Sequence, residues 1–191
     1  MGAHASGTHH HDDGAECAVA HGDAPLPDHP DRKLVVVYAT ALGDHLAHWG
    51  RELGFHITLL EPDRARLTDA HRAHPHEVAT DPGAARIDAE TDVVVTDHHR
   101  DDLGATMAPL VTARPRFIGI IGSPRHKGPH RAALAGVGVE VALIDTVRRP
   151  IGLDIGSRAP AEIALSILGG LLAERNGRRG GLPEPTAPLA G

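Results

Sequence analysis

Aromatic side chains are nearly absent: the 191 residues hold two Phe, one Tyr and one Trp. The core must be built from Val, Ile, Leu and Ala, which favours aliphatic strands covered by Ala-rich helices, an α/β arrangement. Cysteine is limited to Cys17, which excludes an intramolecular disulfide framework and suits a reducing cytoplasm. No apolar run approaches the roughly 18 residues of a membrane-spanning helix. No basic segment followed by an apolar stretch opens the chain, so neither a membrane nor an export signal is expected. Excess positive charge is missing too. The formal net charge is −6, which gives no electrostatic basis for nucleic acid as a partner.

What is abundant is Gly (22) and Pro (15), which mark loops and unstructured ends. Residues 1–31 have almost no bulky apolar side chains but carry His4, His9, His10, His11, His21 and His29. Such a stretch cannot bury enough surface to offset the entropy of ordering, and a disordered His-rich tail is expected. Adjacent histidines without a scaffold do not make a preorganised metal site, so no metal is assigned. Residues 178–191 are expected to form a second disordered, Gly/Pro-rich tail. The domain between them spans residues 32–177.

Order begins at Lys33. Residues 34–38 make a continuous apolar run of strand length, as in a strand buried on both faces of a parallel sheet. A small-residue turn follows, and a helix is predicted over 44–53, with Leu42, Leu46, Trp49 and Leu53 at helical spacing and Gly54 as the stop. Residues 55–60 make the second strand, with Glu61 at its end. This βαβ unit has the dimensions of half a Rossmann fold, and an acidic residue at that strand end is where a ribose hydroxyl would bind. The glycine fingerprint is missing, however. In place of G-x-G-x-x-G stands Tyr38-Ala39-Thr40-Ala41-Leu42-Gly43, and an Ala at a close-approach position sets a methyl group against a pyrophosphate.

Residues 62–90 are polar and irregular, with surface histidines His71, His74 and His76, a short strand near Val78 and a short helix over 81–85. Residues 92–96 form the next strand. Further along, the pattern predicts a helix over 103–111 with Pro109 disturbing its end, a strand over 117–121, a helix over 127–134 and a short strand over 139–144. A last helix opens at Pro160, where a missing N–H costs nothing, carries Glu162 in its first turn, and ends at Gly177. The expected fold is α/β, a Rossmann-like three-layer sandwich with a mostly parallel sheet.

Ligands of such sheets bind beyond the carboxyl ends of the strands. The residues there are Thr40 and Gly43 after the first strand, Glu61 after the second, and Asp97 and His98 after 92–96. After 117–121 come Gly122 and Ser123, with Gly119 just before and Arg125 just after. A Gly-Ser turn with free N–H groups and a following arginine suits an oxyanion such as a phosphate. The same turn also serves as a plain connection from sheet to helix.

Two stretches, FIGIIGSPRHK over 117–127 and RRPIGLDIGSRAPAEIALSILGGLLAERNG over 148–177, resemble the C-terminal Rossmann domain of the XdhC/CoxI family, and the likeness extends over roughly 34–177. These are accessory proteins of xanthine dehydrogenase and carbon monoxide dehydrogenase. Gly119, Gly122, Ser123 and Arg125 match one motif of the family. Pro150, Gly152, Leu153, Asp154, Gly156, Pro160 and Glu162 match a second. The resemblance implies a cytoplasmic, non-catalytic maturation factor that binds molybdenum cofactor (molybdopterin) and assists its insertion into an apo-molybdenum hydroxylase. Gly152 and Asp154 are added to the cofactor-binding set on this ground, and no catalytic residue is assigned. The family's usual N-terminal domain has no counterpart here. That leaves room for a separate chain that supplies it, or for a homodimer. A NAD(P)-dependent oxidoreductase on the same fold is the alternative, disfavoured by the missing glycines and by the lack of a clear proton-relay pair.

Overall fold

The structure, a computed structural model, describes residues 32–123 and 128–180. The His-rich segment with Cys17, residues 181–191 of the C-terminal segment, and Arg125 lie outside the described residues.

Five parallel strands form one sheet: β1 (Lys33–Val37), β2 (His56–Leu60), β3 (Glu77–Ala79), β4 (Thr91–Val95) and β5 (Phe117–Ile120), in the order β3-β2-β1-β4-β5. The strands alternate faces with period two. Leu34, Val36, Ile57, Leu59 and Val94 enter one core cluster, while Val35, Val37, Leu60, Val93 and Val95 enter the other. Both faces are covered, which is why these runs read as continuously apolar.

Helix α1 (Ala41–Glu52) follows β1 and buries Leu42, Leu46 and Ala47 on the first face. Its start is fixed by Thr40, whose hydroxyl oxygen accepts a hydrogen bond from the Gly43 N–H, so the helix begins three residues before the sequence pattern predicts. Helix α6 (Pro160–Arg175) packs beside it and adds Ala164, Ile167, Leu168 and Leu171. The second face is covered by α3 (Leu103–Thr112), α4 (Pro129–Gly136) and α5 (Val141–Ile144), with Leu103, Met107, Leu110, Leu134 and Ile144 buried. Between β2 and β4 lie α2 (Asp69–Ala73), β3 at the strand expected near Val78, and two single 3₁₀ turns, one of them (Pro82–Ala84) within the short helix expected over 81–85. No helix among the described residues is long and apolar enough to cross a membrane.

One local expectation is corrected. Residues 139–144 do not make a strand; residues 141–144 wind into the single turn α5, which tucks Ile144 under the sheet and leaves Val141 exposed. The place beside β5 is taken by the following segment instead. There the Arg148 N–H donates to the Ile118 carbonyl, and the Arg148 carbonyl accepts from Ile120, each at 3.0 Å. Helix α3 matches the expected 103–111 to within a residue and runs through Pro109 to Thr112. After Gly177 the Arg178 N–H closes the end of α6 by donating to the Ala173 carbonyl at 2.7 Å.

Asp92 is fully buried near the start of β4. Arg116 Nε donates to it at 2.7 Å and Arg175 Nε at 2.9 Å, so the last turn of α6 is bolted to the sheet centre. Close packing also reaches the backbone. A Cβ on Gly104 of α3 would strike the Ala133 carbonyl of α4, whereas Gly136 faces open space. Gly104→Ala should therefore destabilise the domain by roughly 1–3 kcal/mol through overpacking. Gly136→Ala should stabilise it by roughly 0.5–1 kcal/mol. Urea denaturation of both variants checks the opposite signs.

Candidate functional site

The order of strands reverses between β1 and β4, and a parallel sheet opens its ligand crevice at the carboxyl end of that point. Two threonines tie the strand ends together there. The Thr96 hydroxyl stands 2.8 Å from the Val37 carbonyl and 3.1 Å from that of Tyr38, positioned to donate to either. The Thr40 hydroxyl donates to Thr96 Oγ1 at 2.9 Å. A Cβ on Gly43 would lie 3.0 Å from the Tyr38 carbonyl, so this glycine permits the close approach of α1 to β1.

Measured against the spacing G-x-G-x-x-G, the three glycine places are Tyr38, Thr40 and Gly43. Tyr38 makes the tight turn itself, at φ 77°, a conformation costly for a non-glycine residue. The close-approach place carries Thr40, not an alanine, and its side chain occupies the N-terminus of α1 that a pyrophosphate would use.

Glu61 explains how Tyr38 is held. Its carboxylate is fully buried and accepts four hydrogen bonds: from Ala39 N–H (3.0 Å), Asp63 N–H (3.0 Å), Arg100 Nη1 (3.0 Å) and Arg100 Nη2 (2.9 Å). Burial works against its charge, but the Arg100 fork and the two backbone donors outweigh it and keep the carboxyl below the ordinary range. Arg100 also stacks 4.3 Å from the centre of the Tyr38 ring, and its Nε is 3.3 Å from Asp102. Burial pushes the Tyr38 phenol up, and its hydroxyl donates to Asp102 at 3.3 Å. Every acceptor position of Glu61 is thus taken within the protein, and it is not presented to a ribose.

At the far side of the crevice, β5 ends in Ile121, Gly122 and Ser123. Gly122 has φ 151°, and a Cβ there would collide with the Arg149 guanidinium, which lies against its backbone. His98, after β4, has a buried Nδ1 without a hydrogen-bond partner among the described residues; beside it, Asp97 accepts from the His99 N–H at 2.8 Å. Thr40, Gly43, Asp97, His98, Gly122 and Ser123 therefore sit at neighbouring strand ends. Gly119 does not. It lies within β5, and the space of its missing side chain is filled by Ile151 and the Phe117 ring. Gly152, at φ 91°, serves contact with Ser166 and Ile167 of α6, and Leu153 N–H donates to the Ser166 carbonyl at 3.1 Å. Asp154 is exposed on the same loop.

Sequence reasoning missed Arg100, His130 and Arg149. Arg100 stands in a strand-end loop already singled out, so its position was a usable signal. Arg149 stands in the 148–177 stretch already quoted, whereas His130 carries no such signal, because only the folded sheet brings it to this edge. Among the described residues no group of His, Cys, Asp and Glu is arranged to hold a metal ion. A hollow of about 660 Å³ lies at the start of β5 against Arg114, Arg116 and Leu143, not at this edge. Strand-end chemistry, rather than hollow size, locates the site.

The chain matches the XdhC Rossmann domain over residues 34–171. It belongs to the XdhC Rossmann-domain family. Among solved structures, this XdhC domain is similar to the crystal structure of a xanthine dehydrogenase from Bacillus halodurans, with a TM-score of 0.63 and 21% identity over 76% of this chain. That likeness covers 45% of the Bacillus chain, so the XdhC domain here spans less than half of its length. No curated protein matches.

Glu61→Gln should lower the stability of this XdhC domain by roughly 3–5 kcal/mol at neutral pH, because Arg100 would keep a buried charge without its partner. Glu61 has a depressed pKa in the folded state, so its contribution is full above the ordinary carboxylate value. It is lost as pH falls through the lower folded value. Urea denaturation across pH 7 to 3 should show the wild type and Glu61→Gln converging toward the acid end.

Proposed function

We propose that this chain binds the molybdenum cofactor through its phosphate at the carboxyl edge of the sheet, and passes it to an apo-molybdenum hydroxylase. The observation that carries this reading is the end of β5. There, in a chain of the XdhC Rossmann family, a Gly-Ser turn lies beside Arg149 at the mouth of the switch-point crevice. The residues present suit a phosphate: bare backbone at Gly122, a guanidinium against it, and an unpaired buried nitrogen on His98. The redox chemistry belongs to molybdenum in the enzyme that receives the cofactor. This chain's own residues bind the phosphate, orient the ligand and release it. Delivery of this kind is work for the cytoplasm, with the hydroxylase as docking partner, and a second chain or a second copy would complete the carrier.

Two observations weigh against a dinucleotide. Thr40 fills the place where a pyrophosphate would approach α1, and Glu61 is closed by Arg100. A thermal-shift comparison separates the two ligands. A native-state ligand at about 100 times its Kd stabilises by ~2.7 kcal/mol. Molybdenum cofactor should raise the melting temperature, and NAD(P) should not. Ser123→Leu should block binding without unfolding the domain. Arg125→Ala should weaken binding by roughly 1.5–3 kcal/mol, the range for a hydrogen bond to a charged group. Unchanged calorimetric affinity in both variants would remove the site from this edge.

A further inference from the structure

Two imidazoles at this end of the sheet carry a buried ring nitrogen with no hydrogen-bond partner among the described residues. His130 stands in the first turn of α4, only 4% exposed, and its Nδ1 has no hydrogen-bond partner among the described residues. His98, in the loop after β4, is in the same condition. A buried polar atom left unpaired costs on the order of 1–3 kcal/mol. Two such atoms at one edge are a cost that a ligand would remove.

Arg149 joins them. A Cβ placed on Gly128 would stand 2.5 Å from His130 Nδ1 and 2.9 Å from Arg149 Cδ, and the guanidinium covers Gly122. Both glycines are bare where these side chains approach. Burial, then the charges of His99 and Arg149, hold His98 below the ordinary imidazole range against the pull of Asp97. Burial, then Arg149 and Arg131, do the same to His130. The one arginine thus acts on both rings. A metal ion bound to these nitrogens would face that guanidinium, so a cation is disfavoured. An oxyanion would be attracted by it and would accept from Nδ1–H of each ring.

We propose that His98, His130 and Arg149 form an oxyanion subsite that takes a phosphate group together with a proton. Both rings are neutral near pH 7, and an incoming dianion stabilises the imidazolium form. A proton from solvent therefore binds with the anion, and affinity falls as pH rises. The proposal rests on the reading of this edge as a ligand site, but not on the identity of the pterin.

Calorimetry on the full chain tests it with inorganic sulfate, which does not titrate near neutral pH, and with inorganic phosphate. Sulfate should bind with an apparent enthalpy that differs between PIPES and Tris buffers, reporting proton uptake by the protein. His130→Gln and His98→Gln should each weaken both anions by roughly tenfold, as expected for loss of one charged hydrogen bond, and reduce the uptake. Lys33→Gln, at the opposite end of the sheet from this edge, should change neither. Absence of anion binding at millimolar concentration, absence of uptake, or wild-type behaviour of the His98→Gln variant would overturn the proposal. His98 lies in a loop, so that variant decides even if His130→Gln does not fold. Molybdenum cofactor is titrated in parallel. Anion binding with uptake but no cofactor binding overturns the proposed function and supports the subsite. Equal cofactor binding by wild type and both variants does the reverse.

Discussion

The carboxyl edge depends on one buried ion pair, Glu61 with Arg100. Its four hydrogen bonds join three separate strand ends: Glu61 closes β2, Ala39 opens the turn after β1, and Arg100 comes from the loop after β4. Taking two charges out of water is expensive, and such pairs contribute little net stability compared with well-packed apolar groups. What this pair supplies is position. With Arg100 stacked on its ring, Tyr38 is held at a positive φ that an isolated tyrosine would avoid. The turn that a glycine makes freely in dinucleotide-binding domains is here made by a locked aromatic residue.

That lock divides the edge into two halves of different character. On the β1–β2 side, donors and acceptors are matched within the protein. Thr40, Thr96 and Glu61 all bond to neighbours, and Gly43 is packed. On the β4–β5 side two ring nitrogens break that matching. His98 and His130 hold unpaired nitrogens around a guanidinium, and two glycines keep the backbone bare. Binding energy is available where polar groups are unsatisfied, which is why the proposed ligand site lies in the second half. The fold alone would have directed attention to the first.

The aliphatic strands were legible because each is buried on both faces and forms an unbroken apolar run; the predicted limits differ from the observed ones by a residue. Residues 139–144 misled for a physical reason. A short apolar run does not distinguish a buried strand from a helical turn, and the position beside β5 went to backbone at Arg148, which leaves no side-chain pattern. Glycines were ambiguous in the same way. Gly119 and Gly122 are alike in sequence, but one accommodates Ile151 and the other a guanidinium. Glu61 was visible as an acid at a strand end, but the linear pattern did not show that Arg100 and two backbone N–H groups would take all its acceptor positions. His98, His130 and Arg149 are far apart along the chain, and only strand order makes them neighbours.

The bond between Asp92 and Arg175 spans 83 positions. Asp92 sits in the middle strand-switch region, made early, while Arg175 arrives in the last turn of the last helix. Until that helix exists, the face of the sheet against which α1 packs is half covered, and Asp92 has only Arg116 as a partner. Contacts that close so long a loop form late and slow the final step of folding. A growing chain would therefore spend most of its synthesis with an unfinished sheet. The carboxyl edge, assembled from loops on that sheet, would become rigid only after α6 had docked.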